Sequence, residues 1–358
     1  MTVRDPPHSD TVRANVVRLV VSALLAVAIF WFLATRVDVA SAWAGIRDMS
    51  WLELATVAAV TGWNLLTYWA LWVAATPGLK WSQAAVLAQA GTALTNTVPG
   101  GSALGVRLAY GMLDSWGFSR QRSSQVVLVT GASNVAVKLG LPVVALTLVA
   151  LQGDAGGRRV AEGALALVLL TAAAVVGILF LRSEPAARSL GDAARRVGTG
   201  LRRLVRRPQA PDWGQSTVDF RRQVGDMLQR RWVSIVVAAV VSHLSLYAVL
   251  LVALRHAGVP DAAVGWAEVL FVFACMRLLT IVRVTPGAAG VAEALLIGGL
   301  TAAGGAAATV TAAVLVFRAL TWLLPVPLGA LAFLGWRLGR SGRPGGTRPD
   351  PVPATPAA

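Results

Sequence analysis

Apolar residues fill long stretches of the chain, and charged residues gather in the segments between them. Six of these stretches are predicted to cross a bilayer as helices, which takes about 20 residues each. They are residues 19–34, 52–76, 123–151, 160–181, 232–254 and 306–336. The pattern predicts an all-α, polytopic membrane protein, with a bend in the last span at Pro325 and Pro327.

Two short stretches, residues 95–102 and 284–290, interrupt apolar segments with proline and glycine. Proline removes a backbone donor and glycine weakens a helix, so each break frees polar backbone groups that lipid cannot satisfy. The piece from Ser102 to Leu113 covers only about 18 Å as a helix, whereas the hydrocarbon core is about 30 Å thick. Each break is therefore predicted to join a broken or re-entrant helix pair.

The breaks occupy corresponding places in two membrane halves, residues 19–181 and 232–337. A basic linker at 182–231 joins the halves, and tails at 1–18 and 338–358 flank them. Counting crossings brings the first break into the membrane from the cytoplasm and the second from outside. The predicted fold is a membrane helical bundle of two inverted halves, and paired breaks of this kind point to a transporter's binding site.

Composition and charge narrow the class of protein further. The chain is 56% hydrophobic and 14% charged, with a mean hydropathy of +0.65, which is too apolar for a soluble domain of 358 residues. Its net charge of +15 lies in loops beside the spans rather than on one soluble face, so nucleic acid is not an expected partner.

The basic linker sets the predicted orientation. It holds 12 arginines against 5 acidic residues, which places residues 182–231 and both termini in the cytoplasm and the protein in the cell membrane. Cysteines introduced at Gly156 and Gly258 should then react from outside, whereas one at Thr199 should not. The chain's own Cys275 is its one cysteine and lies in an apolar run, so it forms no intramolecular disulfide. The tail beyond residue 337 is predicted to be disordered.

The breaks also supply the candidate site. Half-helices beginning near Ser102 and Ala289 would direct unpaired N–H groups and positive dipole ends at an anion, such as a lipid phosphate. Arg107 could pair with that phosphate, and Glu293 could hold a cationic headgroup. The predicted substrate-binding residues are Asn96, Pro99, Gly100, Gly101, Ser102, Arg107, Pro286, Gly287, Gly290, Glu293 and Arg318.

Several of these residues have plainer interpretations. Arg107 could reach the cytoplasmic interface, and Glu293 could pair with Arg318 or Arg277. Asn96 could simply satisfy the open backbone of its break. Elsewhere, Lys138 and Asn134 lie one turn apart and suggest a polar lining that faces the bundle, whereas His243 is expected to be a hydrogen-bonded core residue.

No motif for catalysis, a metal or a cofactor stands out, so the protein is not expected to be an enzyme. One resemblance does stand out, carried by Asn96-x-x-Pro99-Gly100-Gly101, by Pro286-Gly287-x-x-Gly290-Val291-x-Glu293, and by Arg318-x-x-x-Trp322-Leu323-x-Pro325-x-Pro327-x-Gly329. Together these resemble the lysylphosphatidylglycerol synthase transmembrane-region family of flippase-like proteins, over almost the whole chain.

The resemblance implies an α-helical inner-membrane protein. In the family's best-known members, this region moves an aminoacylated phospholipid between leaflets and precedes a soluble aminoacyl-transferase domain, which is not expected here. The expected function is translocation of a phospholipid or another lipid-linked anion. The protein's partner would then be a membrane lipid that is anionic, aminoacylated or polyprenyl-linked. The alternative is a non-catalytic scaffold for glycolipid or lipid-linked glycan synthesis, with 182–231 docking a cytoplasmic partner or anionic lipid. A cavity shared by both breaks favours transport, whereas mutually paired polar residues favour the scaffold.

Overall fold

A computed structural model describes residues 47, 49–98, 101–152, 213–281 and 285–341, with the backbone alone at 213–230 and 340–341. The predicted spans at 19–34 and 160–181 lie outside these residues. So do Pro99 and Gly100 of the first break, most of the 182–231 linker and the last 17 residues. Every regular element among the described residues is a helix, as predicted.

Within the described residues, four helical stretches are long and apolar enough to cross a membrane. They are Trp51–Ala75 (α1), Arg120–Gln152 (α4), the part of α5 from Arg231 to His256, and Ala307–Gly339. Predicted and observed span ends differ by only a few residues at most positions. The exception is α5, which runs over Trp213–His256 and so begins within the segment predicted as a linker.

Four shorter helices flank the two breaks. Trp81–Thr97 (α2) and Gly101–Ser115 (α3) lie on either side of the first break. Trp266–Leu279 (α6) precedes the second break, a 3-10 turn occupies Pro286–Ala288, and Val291–Ala302 (α7) follows. The longest of the four has 17 residues, so at about 1.5 Å per residue none reaches the roughly 30 Å of a hydrocarbon core.

The last span contains a distorted turn just before the prolines at which a bend was predicted. Ala307–Arg318 (α8) ends in a wider π-turn over Ala319–Leu323, and Pro325–Ser341 (α9) continues beyond it. The N–H of Leu324 donates to the carbonyl of Ala319, five residues back, at 2.8 Å. Because Pro325 has no N–H to donate to the preceding turn, a π-bulge at this place relieves a clash and leaves carbonyls open to other donors.

Helices of the two halves pack directly against each other. Asn64 on α1 donates to Ser242 O and Ser245 Oγ on α5, at 3.0 and 2.9 Å. On the other side α9 lies directly against α2, because a Cβ at Gly329 would come within 2.3 Å of the carbonyl oxygen of Gln89. Large apolar side chains also face outward, with Leu331 67% and Leu139 56% exposed, as expected where the solvent is lipid.

Candidate functional site

The two breaks touch each other. Asn96, in the first break, donates from Nδ2 to the carbonyl of Trp322 in the π-turn at 3.0 Å. Gly287, in the second break, has φ of +57°, and a Cβ there would lie 2.0 Å from Nε1 of Trp322 and 3.1 Å from Oδ1 of Asn96. Only glycine fits this contact, both for its backbone angle and for its lack of a side chain. Among the described residues, the two breaks are therefore in direct contact.

An ion pair fixes the second break to α8. Arg318 donates from Nε to Oε1 of Glu293 at 2.6 Å and from Nη2 to the carbonyl of Gly287 at 3.2 Å. Its guanidinium also lies 5.3 Å from the ring centre of Trp322. The other carboxylate oxygen of Glu293 accepts the N–H of Gly290 at 2.6 Å and so caps α7. We call Asn96, Gly287, Glu293, Arg318 and Trp322 the break junction.

The break junction borders a cavity of about 570 Å³. Its wall is formed by α1 to α6, the 3-10 turn, α8, the π-turn and the start of α9, which bring together residues from both halves. Three basic side chains line it, those of Lys138, Arg277 and Arg318, together with several hydroxyl and amide groups. No aspartate or glutamate is among the described residues of this wall.

Two of the three cations belong to one linked cluster that lines the same cavity as the break junction. Lys138 on α4 is 6% exposed and donates from Nζ to Oγ1 of Thr280 at 3.2 Å. The hydroxyl of Thr280 donates to the carbonyl of Arg277 at 2.6 Å. Nη2 of Arg277 lies 3.2 Å from Nε2 of His243 on α5. We call Lys138, Arg277, Thr280 and His243 the cationic wall.

The cationic wall fixes the tautomer of His243. An arginine nitrogen can only donate, so Nε2 of His243 accepts and carries no proton in this contact. The proton then belongs on Nδ1, which lies 2.9 Å from the carbonyl of Ala239 and donates to it. His243 is therefore neutral here and holds the guanidinium of Arg277 without cancelling its charge.

Three more lining side chains present polar atoms that have no hydrogen-bond partner among the described residues. These are Nε1 of Trp72, Nε1 of Trp322 and Oε1 of Gln89. Buried polar atoms are normally paired, and unpaired ones call for an explanation such as water or a ligand. These atoms have almost no accessible surface, so they lie behind the surface of the cavity rather than on it.

The predicted site residues divide into three groups. Those that line the cavity are Asn96, Ser102, Gly287 and Arg318. Those described but outside its wall are Gly101, Arg107, Pro286, Gly290 and Glu293. Arg107 is exposed on α3, away from this wall, and Glu293 has the arginine partner given as its alternative interpretation. Pro99 and Gly100 lie outside the described residues.

Sequence reasoning found part of the cationic wall. It placed Lys138 and Asn134 on a polar lining and His243 in a hydrogen-bonded core position, and both placements are confirmed. It considered Arg277 only as a partner for Glu293 and did not consider Thr280. An arginine within an apolar helix is itself a sign of function in a membrane protein, and that signal could have identified Arg277.

A metal centre is not apparent in the part of the chain that the structure describes, where no three His, Cys, Asp or Glu side chains gather. The fold and the cavity define a multi-pass α-helical membrane protein with a basic internal site. Residues 15–329 match the family model described as the lysylphosphatidylglycerol synthase TM region, so the chain belongs to that family. No curated individual protein matches it significantly.

Proposed function

We propose that this protein moves a lipid with an anionic headgroup between the leaflets of the cell membrane, and that it does so without catalysing a reaction. The observation that carries the proposal is the cavity, which both breaks border and which holds three basic side chains and no carboxylate among its described lining. A cavity with basic side chains inside a membrane protein favours an anionic ligand over a cationic one.

The size and position of the cavity suit such a ligand. Its volume of about 570 Å³ falls within the range of about 300–1,000 Å³ that is usual for small-molecule sites. The headgroup would rest beside Lys138 and Arg277 while the acyl chains stay in lipid. We expect the cavity to switch its opening from one leaflet to the other by movement at the break junction, because the short helices there can tilt without spanning the membrane.

The proposed arrangement in the cell follows from the charge pattern. Both termini and the arginine-rich segment 182–231 face the cytoplasm, where that segment would bind anionic lipid or a cytoplasmic partner. Membrane lipid is the proposed substrate, and nucleic acid is not a proposed partner.

A scaffold for glycolipid or lipid-linked glycan synthesis is the second candidate function. Two contacts favour it: Arg318 is paired with Glu293, and Asn96 donates a hydrogen bond to the carbonyl of Trp322. Some of the polar groups at the breaks therefore have partners within the protein. The cationic wall is the feature that a scaffold leaves unexplained, because its basic side chains face the same cavity rather than a partner surface.

Lipid movement in vesicles tests the proposal. Purified protein would be reconstituted with phosphatidylglycerol fluorescently labelled on an acyl chain, and a membrane-impermeant quencher added outside, with and without a proton gradient. We expect wild type to bring inner-leaflet lipid to the quencher, and Lys138→Met to slow this about tenfold, the factor that about 1.4 kcal/mol of lost interaction represents.

Lys80→Met is the matched control, because Lys80 and Lys138 are the chain's two lysines and Lys80 is exposed. It should move lipid at the wild-type rate. If lipid in vesicles with wild-type protein reaches the quencher no faster than in protein-free vesicles, with and without the proton gradient, the transport proposal is wrong and the scaffold function remains.

A further inference from the structure

We propose that neutral side chains of the cavity form a subsite for a polyol, so that the lipid it takes has a headgroup ending in hydroxyls, such as glycerol, inositol or a sugar. Five neutral polar side chains from four elements carry the proposal: Asn64 on α1, Thr95 and Asn96 on α2, Asn134 on α4 and Thr321 in the π-turn. We call these five residues the neutral lining. This inference rests on the proposed function in taking a membrane lipid as the ligand, and it names the part of the headgroup that the cavity recognises.

The asparagines of the neutral lining direct their side-chain nitrogens into the protein. Nδ2 of Asn134 donates to a carbonyl one turn back in its own helix at 2.8 Å, and Nδ2 of Asn64 donates to the carbonyl of Ser242 at 3.0 Å. Nδ2 of Asn96 donates to the carbonyl of Trp322. A carbonyl oxygen can only accept, so these bonds identify the nitrogen of each amide. The three Oδ1 atoms accept from no described residue and are not fully enclosed, so they are open to a ligand.

The two threonines add further acceptors. Oγ1 of Thr95 donates to the carbonyl of Gly91 at 2.9 Å, and Oγ1 of Thr321 donates to the carbonyl of Phe317 at 2.6 Å. A hydroxyl that has given its hydrogen to the backbone still accepts through its lone pairs. The neutral lining therefore presents acceptor oxygens from four elements, and two of its asparagines keep a second N–H that no described residue accepts.

Asn96 is the most informative member of the neutral lining. Its side chain is only 8% exposed, and its Oδ1 would lie 3.1 Å from a Cβ at Gly287, which also lines the cavity. An amide oxygen so deep in the protein normally accepts a hydrogen bond, and one without a donor calls for water or a ligand. A ligand that donates to Asn96 would reach the contact between the two breaks.

Hydroxyl groups suit the neutral lining better than the other polar groups of lipid headgroups. A phosphate oxygen can only accept, so it gains little from a surface of acceptors. An ammonium can donate to that surface, but its charge inside a membrane protein calls for a carboxylate, and none is among the described lining of the cavity. A hydroxyl is uncharged and both donates and accepts, so it can pair with the oxygen and the N–H of an amide.

The same hydroxyl chemistry is found on a lipid headgroup and on a soluble polyol. Val106 on α3 and Val135 on α4 line the cavity and are 42% and 41% exposed, so apolar surface lies beside the polar groups. This surface suits the glycerol backbone and the first acyl carbons of a lipid, whereas a soluble polyol gains nothing from it. We therefore assign the polyol to a lipid, and glycerol 3-phosphate serves as the soluble comparison.

Binding to the full-length protein in neutral detergent tests this assignment without requiring transport. Four probes would be titrated and counted by native mass spectrometry: glycerol 3-phosphate and the dioctanoyl forms of phosphatidylglycerol, phosphatidylpropanol and phosphatidylethanolamine. Phosphatidylglycerol and phosphatidylpropanol have the same charge and differ only in the hydroxyls of the headgroup, so the basic side chains act alike on both. We expect phosphatidylglycerol to bind at least about tenfold more tightly than each of the other probes, because a site that hydrogen-bonds hydroxyls rejects an analogue without them.

Asn134→Ala locates the subsite. The nitrogen of Asn134 bonds only within α4, so its loss should leave the packing between helices intact. We expect this variant to weaken phosphatidylglycerol binding about fivefold to tenfold and to keep phosphatidylpropanol binding within about twofold of wild type. Thr147→Ala is the matched control, because Thr147 also bonds to a carbonyl four residues back in α4, at 2.9 Å, but does not line the cavity. It should change neither affinity by more than about twofold.

Three results would overturn the proposal: equal or tighter binding of phosphatidylpropanol or phosphatidylethanolamine, equal binding of glycerol 3-phosphate, or equal effects of Asn134→Ala and Thr147→Ala on phosphatidylglycerol. The first two comparisons use wild type alone, so a variant that fails to fold leaves the test intact. Failure of the proposed function looks different, because a preference for hydroxyls without lipid movement in vesicles removes transport and keeps the subsite. Lipid movement without this preference removes the subsite and keeps transport.

Discussion

Arg318 and Arg277 both line the cavity, but the contacts described for them differ, since Arg318 meets a carboxylate and Arg277 meets an imidazole. At the break junction, Arg318 meets a carboxylate, a backbone carbonyl and the face of Trp322, so its charge is used within the protein. In the cationic wall, Arg277 meets neutral His243, and Lys138 meets the hydroxyl of Thr280. Under the proposed function, this difference predicts a mainly structural role for the break junction and ligand binding at the cationic wall.

The largest expected effect is that of removing the carboxylate at the break junction. Glu293→Gln leaves Arg318 without an anionic partner in a place where both side chains are at most 15% exposed. It also weakens the cap of α7. Breaking a buried pair in this way costs about 3–5 kcal/mol, so thermal unfolding in detergent should occur at a clearly lower temperature.

Glu268→Gln is the matched control for that change. Glu268 accepts the N–H of Gly265 at 2.8 Å, the same glycine cap that Glu293 forms with Gly290, but at the exposed start of α6. Its loss should lower the unfolding temperature far less. Equal losses for the two variants would mean that the cap, and not the pairing with Arg318, is what matters at the break junction.

A smaller effect is expected where the two breaks touch. Gly287→Ala puts a methyl group within 2.0 Å of Nε1 of Trp322 at a positive φ, so either the π-turn or the second break must move. The cost should be about 1–3 kcal/mol, measured as a lower unfolding temperature. Gly298→Ala on α7, where the added group meets nothing within 4 Å, should leave stability unchanged or slightly raised.

Asn96→Ala should have the smallest of these effects on stability. It removes one hydrogen bond of 3.0 Å between the breaks, worth about 1 kcal/mol, and leaves the carbonyl of Trp322 without that donor. Thr97→Ala is the comparison, because the exposed hydroxyl of Thr97 bonds only within its own helix to Ala93. An unfolding temperature for Asn96→Ala no lower than for Thr97→Ala would show that this bond does not hold the breaks together.

Among the described residues, the helices and both breaks were predicted well from the sequence, because these depend on local pattern. The pair predicted at 82–98 and 102–113 is found at Trp81–Thr97 and Gly101–Ser115, and the prolines at 325 and 327 do accompany a distorted turn. Hydropathy and the loss of a backbone donor are properties of a short segment, so they can be recognised without knowing what packs against it.

The site was predicted only in part, because its contacts join distant parts of the chain. Lys138 and Thr280 are 142 residues apart, and Arg277 and His243 are 34 apart. Charge type alone did not distinguish Arg107, which is exposed on α3, from Arg277, which faces the cavity. For Glu293, the sequence left open a ligand contact or a buried pair, and the packing of α7 against α8 supplies Arg318 as its partner.

The most direct test of this division compares the same substitution at its two arginines. For Arg277→Gln and Arg318→Gln, both the unfolding temperature and the affinity for dioctanoyl phosphatidylglycerol would be measured on one preparation. Arg277→Gln should weaken lipid binding about tenfold, whereas Arg318→Gln should keep binding within about threefold of wild type. Arg318→Gln should lower the unfolding temperature more than Arg277→Gln does. The account is contradicted if Arg318→Gln loses the lipid while staying as stable as wild type, or if Arg277→Gln binds lipid normally.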